Sequence, residues 1–220
     1  ANLAFECDDS ELFNLMIQKN LKAFVHANKN GFTPVMNAAS NGKKECLQLL
    51  FETDQSLLLQ KDNYGNTLAH YAVTSGCADT LKLVIEKCPD LVLQPNRQGI
   101  TPAMRAAQRD TKCLKLLIDT EIKVLSQKDN NGNSLAIFAA KSDCVENLSL
   151  LLEEEPGLLV RPNNDGDTPA MFAASIINPD CLNLMIQKDP AVLLQENKNK
   201  QTPVFFAAKN HYYRALKLMI

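Results

Sequence analysis

A hydroxyl residue recurs along the chain at nearly constant spacing. Successive members of the series lie 34, 34, 33, 34 and 34 residues apart. The six residues are Thr33, Thr67, Thr101, Ser134, Thr168 and Thr202. Five of them have a glycine two places earlier, and the residue that follows is proline four times and leucine twice. Self-similarity at a period of this length predicts a repeat array, in which each copy buries its apolar face against its neighbours.

Each copy predicts a polar turn followed by two helices. The turn reads "DNYGNT" at 62–67 and "DNNGNS" at 129–134. Asp and Asn side chains accept hydrogen bonds from their own turn, and Gly takes a positive φ. Thr or Ser then suits the helix N-cap, and Pro suits the first helical position. The second helix has apolar residues at helical spacing, as in "CLQLLF" at 46–51. The one-residue deletion in the third copy is expected between its two helices, near 110–111.

Alanine occupies the fifth place after the hydroxyl residue in every copy, which indicates a helix face too crowded for a larger side chain. These residues are Ala38, Ala72, Ala106, Ala139, Ala173 and Ala207.

Cysteine usage and charge limit the classes of protein. None of the seven cysteines forms a C-x-x-C pair, and Cys46, Cys113 and Cys181 each precede a Leu of a second helix. This pattern is typical of a small buried hydrophobe in a reducing compartment, so we expect a cytoplasmic protein. The net charge of -2 argues against a nucleic-acid partner. The apolar runs are far shorter than the roughly 20 residues of a membrane span, and no signal-peptide pattern opens the chain.

The repeat resembles the ankyrin repeat family. The motif D/N-x-x-G-x-T-P-(apolar)-x-x-A stands at 96–106 and 163–173, with looser copies around the other four hydroxyl residues. The usual His of the family motif survives only as His70. The resemblance implies an all-α repeat solenoid of stacked helix pairs with β-hairpin-like fingers. We expect one ankyrin repeat domain over 1–220, an excerpt of a longer protein, with a half repeat at 8–27 and repeats starting near 28, 62, 96, 129, 163 and 197.

The sequence predicts no catalytic site. His26, His70 and His211 occupy unrelated places in different copies, whereas a metal site or a catalytic triad needs side chains that converge. Every Gly cluster belongs to a turn, and no HExxH or G-x-S-x-G motif is present. We therefore expect a protein that is not an enzyme and has no metal, no cofactor and no small-molecule substrate.

Partners of this family lie against the fingers and the exposed side of the first helices, the concave face. Aromatic residues and Arg are the usual anchors of protein interfaces. The candidates on the helices are Tyr71, Arg105, Arg109, Phe138, Lys141, Phe172 and Phe206. Arg105 and Arg109, one helical turn apart, would together hold a carboxylate or phosphate. The alternative is that each Phe packs against the finger of its own copy as part of the scaffold.

The fingers differ most between copies, and they supply the second set of candidates. These are Phe32, Tyr64, Arg97, Ile100, Asp165 and Asp167. The sequence thus favours a protein–protein interaction scaffold that binds a protein or peptide through the concave face and the finger tips. Two alternatives stay open: a targeting or substrate-recruiting module of a larger enzyme or signalling protein, and a bacterial effector acting in the host cytoplasm.

Overall fold

The protein is a succession of short helices in a computed structural model that describes Lys19 and residues 26–220. The expected half repeat at 8–27 lies almost entirely outside the described residues. Within them the α-helices are α1 (Pro34–Ser40), α2 (Lys44–Thr53), α3 (Leu68–Thr74), α4 (Ala78–Lys87), α5 (Pro102–Ala107), α6 (Thr111–Thr120), α7 (Leu135–Lys141), α8 (Val145–Glu154), α9 (Pro169–Ala174), α10 (Asp180–Lys188), α11 (Pro203–Lys209) and α12 (Tyr213–Leu218).

Single 3-10 turns follow most of the second helices and return the chain to the next finger. They are Gln55–Leu59, Pro89–Val92, Ile122–Ser126, Pro156–Leu159 and Pro190–Leu194. Over the described part of the chain no strand is assigned, so the fingers are hydrogen-bonded turns and not ladders. The predicted all-α solenoid of stacked helix pairs is confirmed.

The first helix of a copy begins where the sequence predicts. Thr33 has an extended backbone, and its hydroxyl accepts a hydrogen bond from the N–H of Met36. The N–H of Thr168 donates to the Sδ of Met171 at 3.4 Å, as the N–H of Thr33 does to the Sδ of Met36 at 3.5 Å. Proline fills the first helical position after both threonines, where no intrahelical N–H is required. The first helix thus begins directly after the hydroxyl residue in each copy, as the sequence predicts, and at Thr33 the hydroxyl itself accepts the capping hydrogen bond.

Burial between neighbouring copies supplies the core. All six alanines of the repeated column have no exposed surface. Ala170 and Met171 of α9 are also fully buried, whereas their counterparts in the last copy, Val204 and Phe205, are 42% and 43% exposed. Helix α9 packs against both α7 and α11. Each first helix thus depends on the copy that follows it for full burial, as expected for a repeat array.

The fingers are held by one recurring hydrogen-bond pattern. In the fourth copy, the Oδ1 of Asp129 accepts from the N–H groups of Asn131 and Asn133 at 2.9 and 2.8 Å. The next finger joins it through the N–H of Asn164, which donates to the carbonyl of Asn131 at 2.9 Å. The side chain of Asn164 donates to the carbonyl of Asn130 as well. The side chain of the first finger residue and the finger backbone are consequently used in hydrogen bonds that stabilise the fold.

Glycine is favoured in the finger by its positive φ and required where the next finger approaches closely. Gly132 has a φ of 78°, and a Cβ added there would lie 2.7 Å from the backbone nitrogen of Asn164. Lys200 holds the corresponding place in the last copy and adopts a φ of 61°. A side chain at that φ carries backbone strain.

The chain divides into two compact units at Pro102. The expected single domain over 1–220 stays a prediction. In the first unit α1 packs on α2 and α3, and α3 packs on α4. In the second unit α7, α9 and α11 form one packed row, while α6, α8 and α10 form another.

Candidate functional site

The aromatic column has a different environment in each copy. Tyr71 is half-buried in the first unit. In the second unit Phe138 is buried, with 6% of its surface exposed, whereas Phe172 and Phe206 are half-buried. A residue at the same helical place thus contributes to the scaffold in one copy and to the accessible surface in another. Phe206 also contacts Phe205 edge-on, at 6.1 Å between ring centroids.

In the first unit Tyr71 is tied to its own finger. Its hydroxyl donates to the Oδ2 of the buried Asp62 at 2.5 Å, and its ring meets Phe32 edge-on at 5.0 Å between centroids. Burial would raise the pKa of Asp62. The hydrogen bonds from Tyr71, from the Asn66 side chain and from the Asn66 and Tyr64 N–H groups outweigh it, and they lower the pKa. The finger therefore contains an ionised carboxylate that the Tyr71 hydroxyl stabilises.

Two of the first-unit finger candidates present their side chains to solvent. Tyr64 is 60% exposed, and Arg97 is exposed. Their backbones are joined, because the N–H of Arg97 donates to the carbonyl of Tyr64 at 2.9 Å. Ile100 is half-buried, and its carbonyl lies 2.9 Å from the Nε2 of His70. Tyr64 and Arg97 are therefore the accessible pair.

His70 is a scaffold residue. It is fully buried, and its Nδ1 accepts a hydrogen bond from the N–H of Thr67 at 3.1 Å. The proton consequently resides on Nε2, which donates to the carbonyl of Ile100. The imidazole thus caps the N-terminal end of α3 and joins it to the next finger by a hydrogen bond.

In the second unit Lys141 lies across the aromatic surface. Its Nζ stands 4.2 Å from the centroid of the Phe172 ring and 5.9 Å from that of Phe138. Both distances are within the range of a cation–π interaction. Desolvation lowers the pKa of the Lys141 ammonium, and the carboxylates of Asp129 and Asp167 act in the opposite direction. The residue as a whole is nevertheless exposed.

The finger candidates of the second unit are both acidic and belong to the copy that follows this lysine. Asp165 is exposed, and its carbonyl accepts from the N–H of Lys198 at 3.1 Å. Asp167 is half-buried, and its Oδ1 accepts from the Asn197 side chain at 2.7 Å. The carboxylate of Asp165 is therefore presented at the finger tip, while that of Asp167 is partly used by the next finger.

The structure departs from the sequence expectation at the third copy. Helix α5 ends at Ala107, one residue shorter than α3, and the N–H of Arg109 donates to the carbonyl of Ala106 in the turn that follows. The connection to α6 has three residues, as in the second copy, so the deletion shortens the helix and not the connection. The half-buried Arg105 and the exposed Arg109 are thus not on one continuous helix. That the two arginines together hold a carboxylate or phosphate stays a prediction.

Sequence reasoning missed a buried amide. Asn147 has no exposed surface, and its Nδ2 donates to the carbonyls of Ala106 and Ala107 at 3.0 Å. Cys181 holds the same place in the fifth copy, is fully buried, and directs its Sγ to the carbonyl of Ala139. The column that the sequence marks as small and apolar thus faces the C-terminal carbonyls of the preceding first helix. The available signal was the one amide in a column that otherwise holds Cys, Thr or Ala.

A family model for ankyrin repeats, built on three copies, matches residues 2–95 and 88–161. The chain belongs to the ankyrin repeat family. Ankyrin repeats are protein–protein interaction modules, and the ankyrin fold is typically a binding module without enzymatic activity. A search of curated protein sequences gives no match.

Solved structures of similar fold agree with this assignment. A chain of the Bd0816 predatory endopeptidase from Bdellovibrio bacteriovorus in complex with immunity protein Bd3460 has a TM-score of 0.70 at 21% identity, over 88% of this chain and 98% of that one. The ankyrin repeat protein EF0377 gives 0.70 at 20%, over 87% and 98%. The ankyrin repeat domain of Bcl-3, of the IkappaB family, gives 0.70 at 19%, over 94% and 90%. These likenesses concern the fold.

The helices of this ankyrin array are short. Among the residues that the structure describes, none of them is both long and apolar enough to cross a bilayer.

Proposed function

We propose that the chain binds a partner protein or peptide through the finger tips and the exposed side of the first helices. One observation carries this proposal. The first residue and the glycine of a finger are engaged by the fold, whereas the residues between them are exposed and vary in chemistry between copies. Tyr64, Arg97 and Asp165 are the leading examples. An exposed Tyr or Arg on a rigid backbone is the kind of residue that anchors protein interfaces.

The comparisons support the class of partner. One structure of similar fold is described as a complex of two proteins. The six cysteines of the described part are all free, which supports the reducing compartment that the sequence predicts. We place the protein in the cytoplasm on this basis.

Site-specific photo-crosslinking tests the proposal. A photoreactive amino acid replaces Tyr64 in one variant and Leu194 in another. Leu194 is 80% exposed at the end of a 3-10 turn, so it is a matched control of similar accessibility outside the fingers. We expect a crosslinked protein from the native cell type at position 64 and none at 194. Equal labelling at both positions, or labelling at 194 alone, would count against the finger surface.

A second arm connects crosslinking to affinity. The protein identified at position 64 is purified and its binding is measured by calorimetry. Tyr64→Ala should weaken binding by about 1 to 3 kcal/mol if Tyr64 is an interface anchor, whereas Leu194→Ser should leave it unchanged. Circular dichroism of each variant checks that the helices remain folded.

A further inference from the structure

The face of the Phe172 ring already holds a cation. The Nζ of Lys141 stands 4.2 Å from the ring centroid, in the position that an ammonium takes over an aromatic ring. Lys141 belongs to α7 and Phe172 to α9, so the contact joins two neighbouring copies of the second unit. Since the lysine side chain is exposed, this cation can leave the ring without disturbing the core.

The two copies that form this contact carry more acidic than basic residues in their fingers and first helices. The fingers and first helices of the fourth and fifth copies, residues 129–143 and 163–176, contain one lysine and four aspartates. Three of the aspartates belong to the fingers, namely Asp129, Asp165 and Asp167. The fourth, Asp143, accepts from the N–H of Cys181 at the turn between the helices. Within these two copies, the single Lys141 ammonium is thus accompanied by three finger carboxylates.

A comparison inside the chain explains why Asp129 is available to a cation. In the second copy the corresponding Asp62 receives the hydroxyl of Tyr71 on its Oδ2. In the fourth copy the residue at the place of Tyr71 is Phe138, which has no hydroxyl to donate. The Oδ2 of Asp129 accepts from the side chain of Asn133 at 2.8 Å, as the Oδ2 of Asp62 does from Asn66. The Oδ2 of Asp129 thus lacks the tyrosine donor that the Oδ2 of Asp62 has, and a charged donor would take that position.

We propose that the Phe172 ring and the carboxylates of Asp129 and Asp167 form a cation subsite, which Lys141 occupies in the free protein and which an arginine or lysine of the partner occupies in the complex. The inference rests on the proposed function, because it names the chemistry of the partner at this part of the binding surface. Lys141 acts as an internal competitor. The partner's cation takes over the ring face and the carboxylates, and Lys141 moves into solvent.

A basic partner residue fits this site better than an acidic one. An incoming carboxylate would meet the Lys141 ammonium together with two carboxylates, so like charges would outnumber opposite ones. An incoming apolar side chain would have to displace Lys141 from the ring without replacing its charge. An arginine satisfies both features, because a guanidinium stacks on an aromatic face and binds carboxylates in a planar geometry.

The test uses two short peptides that differ only at their central residue, Arg in one and Glu in the other, titrated into the chain and followed by NMR. Lys141→Met removes the internal cation and retains a long apolar side chain. We expect it to bind the Arg peptide about two- to fivefold more tightly than the wild type. Lys128→Met is the matched control, because Lys128 is exposed beside Asp129 and its loss changes the net charge equally. It should change the affinity less.

Two further variants remove the carboxylates without foreign residues. The fifth copy has Asn163 at the position equivalent to Asp129, and the fourth copy has Asn133 at the position equivalent to Asp167. Both Asp→Asn changes therefore introduce a residue that the scaffold already accepts at that position. Asp129→Asn with Asp167→Asn should weaken Arg-peptide binding. The shifted resonances should include those of Phe172 in each case.

The inference is overturned if Lys141→Met leaves Arg-peptide binding unchanged, or if the Glu peptide binds the wild type more tightly than the Arg peptide. Failure of the proposed function is a different result, since it is the absence of a crosslinked protein at the finger tips. A chain that captures a partner at position 64 but shows no gain with Lys141→Met retains the function and loses the subsite.

Discussion

The hydrogen bond between Tyr71 and Asp62 gives the sharpest test of how the fingers are stabilised. Tyr71→Phe removes only the hydroxyl that donates to the buried carboxylate at 2.5 Å and retains the edge-on contact with Phe32. Hydrogen bonds to charged groups contribute about 1.5 to 3 kcal/mol. Because Tyr71 is half-buried and Asp62 keeps three other donors, we expect a loss near the lower end, about 1.5 kcal/mol at pH 7.

The loss should depend on pH, and its sign follows from the pKa of Asp62. That pKa is lowered in the folded protein, so the carboxylate contributes stability above the unfolded pKa of about 4. The contribution falls as the pH drops through the folded pKa. Tyr71→Phe removes one cause of the lowered pKa. The variant should therefore be less stable than the wild type at pH 7, and the difference should shrink towards pH 3.

Urea unfolding at several pH values measures the effect. A loss of about 1.5 kcal/mol corresponds to a Tm lower by roughly 3 to 6 °C in a chain of this size. Tyr64→Phe is the matched control, because it removes the same hydroxyl from a 60% exposed side chain and should be neutral. A Tyr71→Phe variant as stable as the wild type, or a loss of equal size at pH 3 and pH 7, would refute the assignment of the finger's stability to this charged hydrogen bond.

Three further predictions concern backbone, buried amide and aromatic column. Gly132→Ala should destabilise by about 1 to 3 kcal/mol in urea unfolding, because the residue has a φ of 78° and the Cβ would meet the next finger; Gly157→Ala, with open space around its Cβ, should be neutral. Asn147→Ala should cost about 1 to 3 kcal/mol by the same assay, since it removes the amide donor from two carbonyls, and a neutral result would deny the amide that role. Phe138→Ala should cost about 3 to 5 kcal/mol and the half-buried Phe172→Ala clearly less, with equal melting temperatures contradicting the burial difference.

The fold was predictable because the same turn and helix signals recur in each copy of the repeat. The hydroxyl residue, the following proline and the alanine column each meet a local backbone or packing requirement; the hydroxyl and the alanine recur in all six copies, and the proline in four. The third copy shows the limit of this reasoning. A spacing of four residues predicts a helical pair at Arg105 and Arg109, but α5 ends at Ala107 and Arg109 lies in the turn that follows. Helix ends depend on how the next helix packs, which spacing alone does not contain.

The site was only partly predictable for a different physical reason. Phe138 and Phe172 occupy the same place in their copies, yet one is buried and the other is half-exposed beneath a lysine. A shared position in the repeat predicts the direction of a side chain, but it does not predict which neighbouring side chains bury it. Asp129 was not a candidate at all, because its turn role explained it completely. Only the distance between Lys141 and Phe172 showed that a cation of one copy lies over the aromatic ring of the next.

Repetition inside one chain separates residues that the scaffold requires from residues that vary freely. Lys200 shows how this separation works at the finger glycine. It accepts the positive φ of that place at 61°, so φ alone does not demand glycine. At Gly132, by contrast, any Cβ would also lie 2.7 Å from the nitrogen of the next finger. The close approach of fingers is consequently the stronger constraint, and it leaves the exposed tip residues free to differ. On the proposed binding surface, we therefore expect differences such as Tyr64 in one copy and Asn131 in another to determine which partner is bound.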